Sequence, residues 1–311
     1  MHTCGGVLGC AVSCGEHGGK DVDEVTTCGK ELPRLLDRIF RAASARNLDL
    51  DFHVDENGNA EATGLRSIAQ AVLRNEFTGR VVCGHCCSLA SQTHDALRET
   101  LALCKTAGVY LVTLPVVNMW LQDRDHDGKR TPRWRGTTLV KEVAAAGVPI
   151  AISSDNIRDQ FYAYGDMDLL DIFRQSTLIC HLDRPNMGSW PCSVTSVPAQ
   201  AMRLPAHTGH IAVGGGADFI VFSARCYSEL FSRPQTDRIV VRNGVTAVTR
   251  LPSFTELDCD TNCGSVVSID NDDEHGENGK SLSSSEKDAT KNHHSTRRDP
   301  HLSCPASETD L

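Results

Sequence analysis

At 311 residues, of which 40% are hydrophobic, the chain is long enough to bury a sizeable core. A formal net charge of -9 and a pI near 5.8 provide no basic face of the kind a nucleic-acid binder needs. No apolar run reaches the roughly 18 residues of a membrane span, and Met1-His2-Thr3-Cys4 does not open a signal peptide. The expectation is a cytoplasmic enzyme with a small-molecule partner, neither nucleic acid nor membrane. Homo-oligomerisation is compatible with the sequence without being specified by it. Fourteen cysteines in so long a chain read as reduced thiols. Cys10, Cys83, Cys104 and Cys180 sit in apolar runs as small buried hydrophobes. Cys83 and Cys86 form a single CxxC, which without a second pair is weak evidence for zinc.

In chain order, residues 6–12 read as a short apolar strand. Leu32, Leu35, Leu36, Ile39, Phe40 and Ala43 then recur at helical spacing. Residues 48–53 alternate strictly, with Leu48, Leu50 and Phe52 on one face and Asp49, Asp51 and His53 on the other. A helix with Leu65, Ile68, Ala69, Val72 and Leu73 on one face follows, then a strand over 80–85 and a helix near 95–106. Residues 109–114 are a strand, a polar loop carries Asp123, Asp125 and Asp127, and a helix lies near 138–146. The last strand of the series spans 149–154, with a helix near 167–179 behind it. Such βα repetition implies a parallel sheet, doubly wound or closed into a (β/α)8 barrel. The polar face of residues 48–53 favours the barrel, because strands of a doubly wound sheet are buried on both sides.

Beyond residue 208 the pattern changes. A glycine-rich turn leads into a strand near 217–222, and Asn243-Gly244 sits at the centre of a hairpin over 238–248. From about Thr255, Ser, Asp, Glu, Asn and Gly dominate, a composition that cannot bury enough apolar surface to offset ordering entropy. The expected organisation is a partial barrel over 1–208, a small β-sandwich element over 209–254 and a disordered tail over 255–311.

The chemistry-bearing residues gather at strand ends. His53-Val54-Asp55-Glu56 closes one strand, His85 the next, and Asp155 the last. Active sites of such barrels lie at the C-terminal ends of the strands. Two histidines and two acids at one mouth suit a borderline divalent metal together with a proton-transferring carboxylate.

The blocks Leu50-Asp51-Phe52-His53-Val54-Asp55-Glu56, Val82-Cys83-Gly84-His85, Pro115 through Gln122, Arg135-Gly136-Thr137-Thr138-Leu139-Val140-Lys141-Glu142 and Ser154-Asp155-Asn156 resemble cytosine deaminases of the amidohydrolase superfamily. The resemblance runs from about residue 5 to 248. It implies a (β/α)8 barrel, represented by strands four to eight, and one divalent metal ion, Zn2+ or Fe2+. In that pattern His53 and Asp155 are metal ligands. Glu56 protonates the pyrimidine ring nitrogen as hydroxide attacks the amine-bearing carbon, and His85 orients the hydroxide. Asp155 passes the water proton to the departing ammonia. The metal lowers the pKa of water to roughly 7. The implied reaction is hydrolytic deamination of cytosine or a closely related heterocycle. An aminohydrolase acting on an s-triazine is the alternative within the enzymes, and an inactive truncated homologue serving as a binding or assembly partner is the alternative outside them.

Two departures qualify the resemblance. The superfamily places a His-x-His pair at the end of its first barrel strand, and none occurs in this chain. The expectation is therefore an N-terminally truncated barrel that by itself is catalytically dead or nearly so, with weak metal retention and no measurable ammonia release from cytosine, since catalytic sites usually keep three protein ligands. The residue after the metal aspartate is Asn156, where the family typically has a second aspartate beside the substrate amine. Asparagine keeps the size, removes the charge and adds donors, so Asn156 is expected to bind substrate and to alter its choice.

Overall fold

Between Val7 and Ile152 strand alternates with helix, and every strand is parallel to its neighbour. The structure, a computed structural model, describes residues 6–12, 31–125 and 127–247. The chain falls into two units by internal contacts, Met1–Leu251 and Pro252–Leu311. The second unit, and with it the tail expected from residue 255, lies outside the described residues. Among the described residues no helix is long and apolar enough to cross a membrane.

The first sheet contains β1 (Val7–Val12), β2 (Asp49–Val54), β3 (Val81–His85), β4 (Tyr110–Thr113) and β5 (Ile150–Ile152) in that spatial order. The order never reverses, so there is no switch point of the doubly wound kind. The strands form an arc of a (β/α) barrel, as expected. Helices α1 (Glu31–Ser44), α2 (Gly64–Arg74) and α3 (His94–Ala107) connect the first strands. Pro115–Leu121 forms α4, Val140–Ala145 α5 and Leu169–Cys180 α6.

The alternation in β2 is realised as read. Leu50, Phe52 and Val54 are fully buried under the helices, while Asp51 and His53 line a cavity on the other face. Leu36 and Phe40 of α1 and Leu65, Ile68 and Ala69 of α2 complete this layer. Phe40 stacks on Phe52 with centroids 6.1 Å apart and meets Phe77 edge-on at 5.1 Å. Such ring pairs add about 0.5–1.5 kcal/mol beyond their buried area.

Several expectations need correction. Leu73, placed on the buried face of α2, is 41% exposed, and Ala71 takes its place inside. Cys10 and Cys180 are only half-buried, whereas Cys83 and Cys104 are buried as expected. Residues 115–121, read only as a motif, are helical, with Pro115 in the first turn where its missing N–H costs nothing. The reduced-thiol reading of Cys83 and Cys86 stands. Both thiols are buried and free, their pKa values pushed up first by that burial.

After α6 come the short helices α7 (Ser196–Ala201) and α8 (Tyr227–Ser232). An antiparallel sheet is built around α8 from β6 (Phe219–Val221), which precedes that helix, and β7 (Ile239–Arg242) and β8 (Val245–Ala247), which follow it. Asn243 and Gly244 turn the hairpin at φ 49° and 76°, the two left-handed positions a type I′ turn requires. Arg238, just before β7, pairs with Asp168, which caps α6 by accepting from the Leu170 amide at 3.1 Å.

Candidate active site

The barrel's C-terminal mouth is built at strand ends whose backbones turn sharply. Asp55, His85 and Asp155 have φ of 46°, 67° and 68°, left-handed values that residues other than glycine seldom adopt. Each marks a place where the chain leaves a strand and redirects its side chains. At β2, Asp55 turns away and caps α2. Its Oδ2 accepts from the Leu65 amide at 3.1 Å, and the carboxylate sits so close over Gly64 that a Cβ there would lie 2.5 Å from Oδ1. A negative charge at a helix N-terminus is favourable. Asp55 thus serves the fold, and its neighbours His53 and Glu56 are left to the mouth.

His85 is the centre of the cluster, with only 2% of its side chain exposed. Its Nε2 lies 3.1 Å from His53 Nδ1 and 3.8 Å from Asp155 Oδ2. Its Nδ1 lies 2.9 Å from Asn118 Nδ2 and 3.4 Å from Glu56 Oε1. Burial, with a further contribution from His53, pushes the His85 pKa down to about 4, against a smaller opposing effect of Asn118. The ring is therefore neutral near pH 7. Burial also raises the Asp155 carboxyl, with His53 opposing and Asp159 reinforcing the shift. Asp51 is raised as well, again chiefly by burial.

A cavity of about 190 Å3 opens here, lined by Asp51, His53, His85, Ser153 and Asp155 with Val82, Gly84, Val112 and Leu114. The ligating atoms of His53, Glu56 and His85 all lie within 4.8 Å of one another. Imidazole nitrogens beside carboxylate oxygens are the donor set of a borderline divalent ion such as Zn2+ or Fe2+. A neutral imidazole offers a lone pair for ligation only from the ring nitrogen that carries no proton. The residues present fit such an ion.

Four of the five residues singled out from sequence, His53, Glu56, His85 and Asp155, meet in this cluster. Asn156 does not join the cavity lining; its Nδ2 donates to Asp159 Oδ2 at 2.7 Å. That bond is the first cause holding Asp159 below the usual carboxylate range. Asn118 was missed. It is fully buried and donates to Glu56 Oε1 at 3.0 Å. Its only sequence signal was membership of the Pro115–Gln122 block, and nothing there distinguished it from Met119 or Trp120. Asp51 was noted only as a polar residue on the inward face of β2.

The sequence profile of the amidohydrolase family matches residues 21–248. The chain is 51% identical over 234 residues to a pterin deaminase of Rhizobium rhizogenes (strain K84 / ATCC BAA-868), covering 75% of this chain and 53% of that protein. It is 26% identical over 191 residues to an N-isopropylammelide isopropyl amidohydrolase of Pseudomonas sp. (strain ADP), covering 61% of this chain and 43% of that one. The chain thus spans about half the length of these curated relatives. Among solved structures, the 5-methylcytosine deaminase of Klebsiella pneumoniae with phosphonocytosine superposes with a TM-score of 0.61 at 22% identity. That match covers 71% of this chain and 53% of the other, and it establishes the shared fold.

Proposed function

Because this chain belongs to the amidohydrolase family, we propose that it carries the site of a metal-assisted hydrolase that removes an amino group from a nitrogen heterocycle. The observation that carries this reading is the convergence of His53, Glu56, His85 and Asp155 on one strand-end mouth. The 51% identity to a pterin deaminase favours a pterin as substrate over the cytosine expected from motifs alone. Both rings present the same group, an amine on a carbon beside a ring nitrogen. A cavity of about 190 Å3 suits a small ring, being below the roughly 300–1,000 Å3 of sites for drug-sized ligands.

The roles are those that the family resemblance implies for these residues. A divalent ion held by His53 with Asp155 would make water acidic enough to supply hydroxide near neutral pH. Glu56, ionised before substrate binds, takes up one water proton and delivers it to the ring nitrogen next to the amine-bearing carbon, which makes that carbon electrophilic. Neutral His85 directs the attacking oxygen from its Nε2 side. Asp155 takes the remaining proton from the added hydroxyl and passes it to the amine. A C–O bond forms, the C–N bond breaks, and the products are the oxo ring and ammonia.

The test is ammonia release from pterin and from cytosine by the purified chain supplied with Zn2+ or Fe2+, alone and together with a segment carrying the family's His-x-His pair, with bound metal measured in parallel. Release from pterin is expected to exceed that from cytosine. Glu56→Gln is expected to lower it by about 10^2–10^4-fold, the worth of a positioned acid. Release from cytosine alone would move the assignment to pyrimidines. Stoichiometric metal without release from either ring would favour a non-catalytic binding partner.

A further inference from the structure

Asn118 is fully buried on α4, yet the chemistry above gives it no role. Its Nδ2 is 3.0 Å from Glu56 Oε1 and 2.9 Å from His85 Nδ1, and those two atoms are 3.4 Å from each other. One amide nitrogen therefore sits between a carboxylate oxygen and an imidazole nitrogen. An ionised carboxylate only accepts hydrogen bonds. The amide must then turn its NH2 group to this corner, because the opposite orientation would bring two acceptor oxygens to hydrogen-bond distance. The group carries two hydrogens. With one given to Glu56, the other meets His85 Nδ1, which must be the bare nitrogen of the ring. A neutral imidazole has a single N–H, and it is left on Nε2, facing His53 and Asp155.

The surroundings hold this arrangement in place. Just past the end of α4, the C-cap residue Gln122 donates from Nε2 to the Glu56 carbonyl at 3.2 Å, so α4 and its cap hold Glu56 by side chain and backbone. Gly136, at φ 64°, lets Gln122 pass, since a Cβ there would lie 2.1 Å from Gln122 Cγ. Two residues on, the Thr138 hydroxyl donates to the His85 carbonyl.

We propose that Asn118 is a positioning residue that orients the Glu56 carboxylate and selects the Nε2–H tautomer of His85. The proposal rests on the reading of Glu56 and His85 as site residues. With its proton on Nε2, His85 presents a donor to the reacting groups and withholds that lone pair from a metal.

The experiment is a long-range 15N–1H correlation spectrum of the 15N-histidine-labelled full chain near pH 7, without metal, with His85 assigned by loss of its signals in His85→Gln. The expected result is a protonated Nε2 and a bare Nδ1. A protonated Nδ1 in the parent chain overturns the proposal. In Asn118→Asp a carboxylate faces Nδ1, and the proton is expected to move there with circular dichroism unchanged. A folded Asn118→Asp that keeps Nε2–H also overturns it. Where the parent releases ammonia, Asn118→Leu is expected to lower kcat about 10–100-fold, the usual worth of a group that orients a site residue, with KM little changed. An unchanged kcat counts against the proposal. A parent that shows Nε2–H but releases no ammonia refutes the deaminase reading and leaves the assignment of Asn118 standing.

Discussion

Burial pushes the His85 pKa in the fold down from its ordinary 6.5 to about 4. The sign of the stability effect follows directly. As pH falls through 6.5 the unfolded chain takes up a proton that the folded chain refuses, so the unfolded state gains. Stability on this account is intact above about pH 6.5 and declines towards pH 4, by roughly 3 kcal/mol in all. Denaturant unfolding of metal-free parent and His85→Gln at pH 7 and pH 5 checks this. The parent should lose more than the variant, and the comparison cancels the opposite tendency of Asp51 and Asp155, whose carboxyls are raised. Asn156 offers a second test. Its amide donates to Asp159 at 2.7 Å, so Asn156→Asp sets two carboxylates against each other. The melting temperature should fall at neutral pH and be restored by the double variant Asn156→Asp/Asp159→Asn. A melting temperature unmoved by Asn156→Asp would show that the bond carries no stability.

At the scale of elements, the mouth depends on two connections that supply no reacting group. Asp55 ties the end of β2 to the start of α2 through the Leu65 amide. Asp55→Ala should cost about 2 kcal/mol, the upper range for a lost helix cap, while Asp55→Asn should keep most of that stability by retaining the acceptor. Equal losses in urea titrations would show that the cap is not the cause. The loop before α5 supports α4 in the same way. Gly136→Ala combines a left-handed φ with a Cβ 2.1 Å from Gln122 Cγ, and should cost about 1–3 kcal/mol. Much of this level was legible. The alternation of β2 foretold both its buried face and the face that lines the cavity. Asn243-Gly244 foretold the hairpin. By contrast α4 was missed as a helix, because its run of Pro115, Val116, Val117 and Asn118 carries no helical preference and is held by packing.

For the molecule as a whole, the test is metal. Zn2+ at 100 times its dissociation constant stabilises a folded chain by about 2.7 kcal/mol, a rise of about 5–10 °C for a domain of this size. The rise should appear on adding Zn2+ or Fe2+, reverse with chelator, and vanish in His53→Ala. A shift that survives His53→Ala would place the ion elsewhere in the chain. Mg2+, which prefers oxygen ligands and holds its waters, should do little.

By itself the sequence determined the period of each element, the strand ends that carry His53, Glu56, His85 and Asp155, and the kinship that those blocks spell out. These are local properties, since alternation, helical spacing and turn residues act over a few positions. Tertiary structure decided what each polar group faces. Asp55 and Glu56 are adjacent in the chain, yet one caps a helix and the other meets Asn118, because the backbone reverses at φ 46° between strand and loop. Asn118 lies 62 residues from Glu56 and 33 from His85. No spacing rule links them; only the closing of α4 over β2 and β3 brings one amide between a carboxylate and an imidazole.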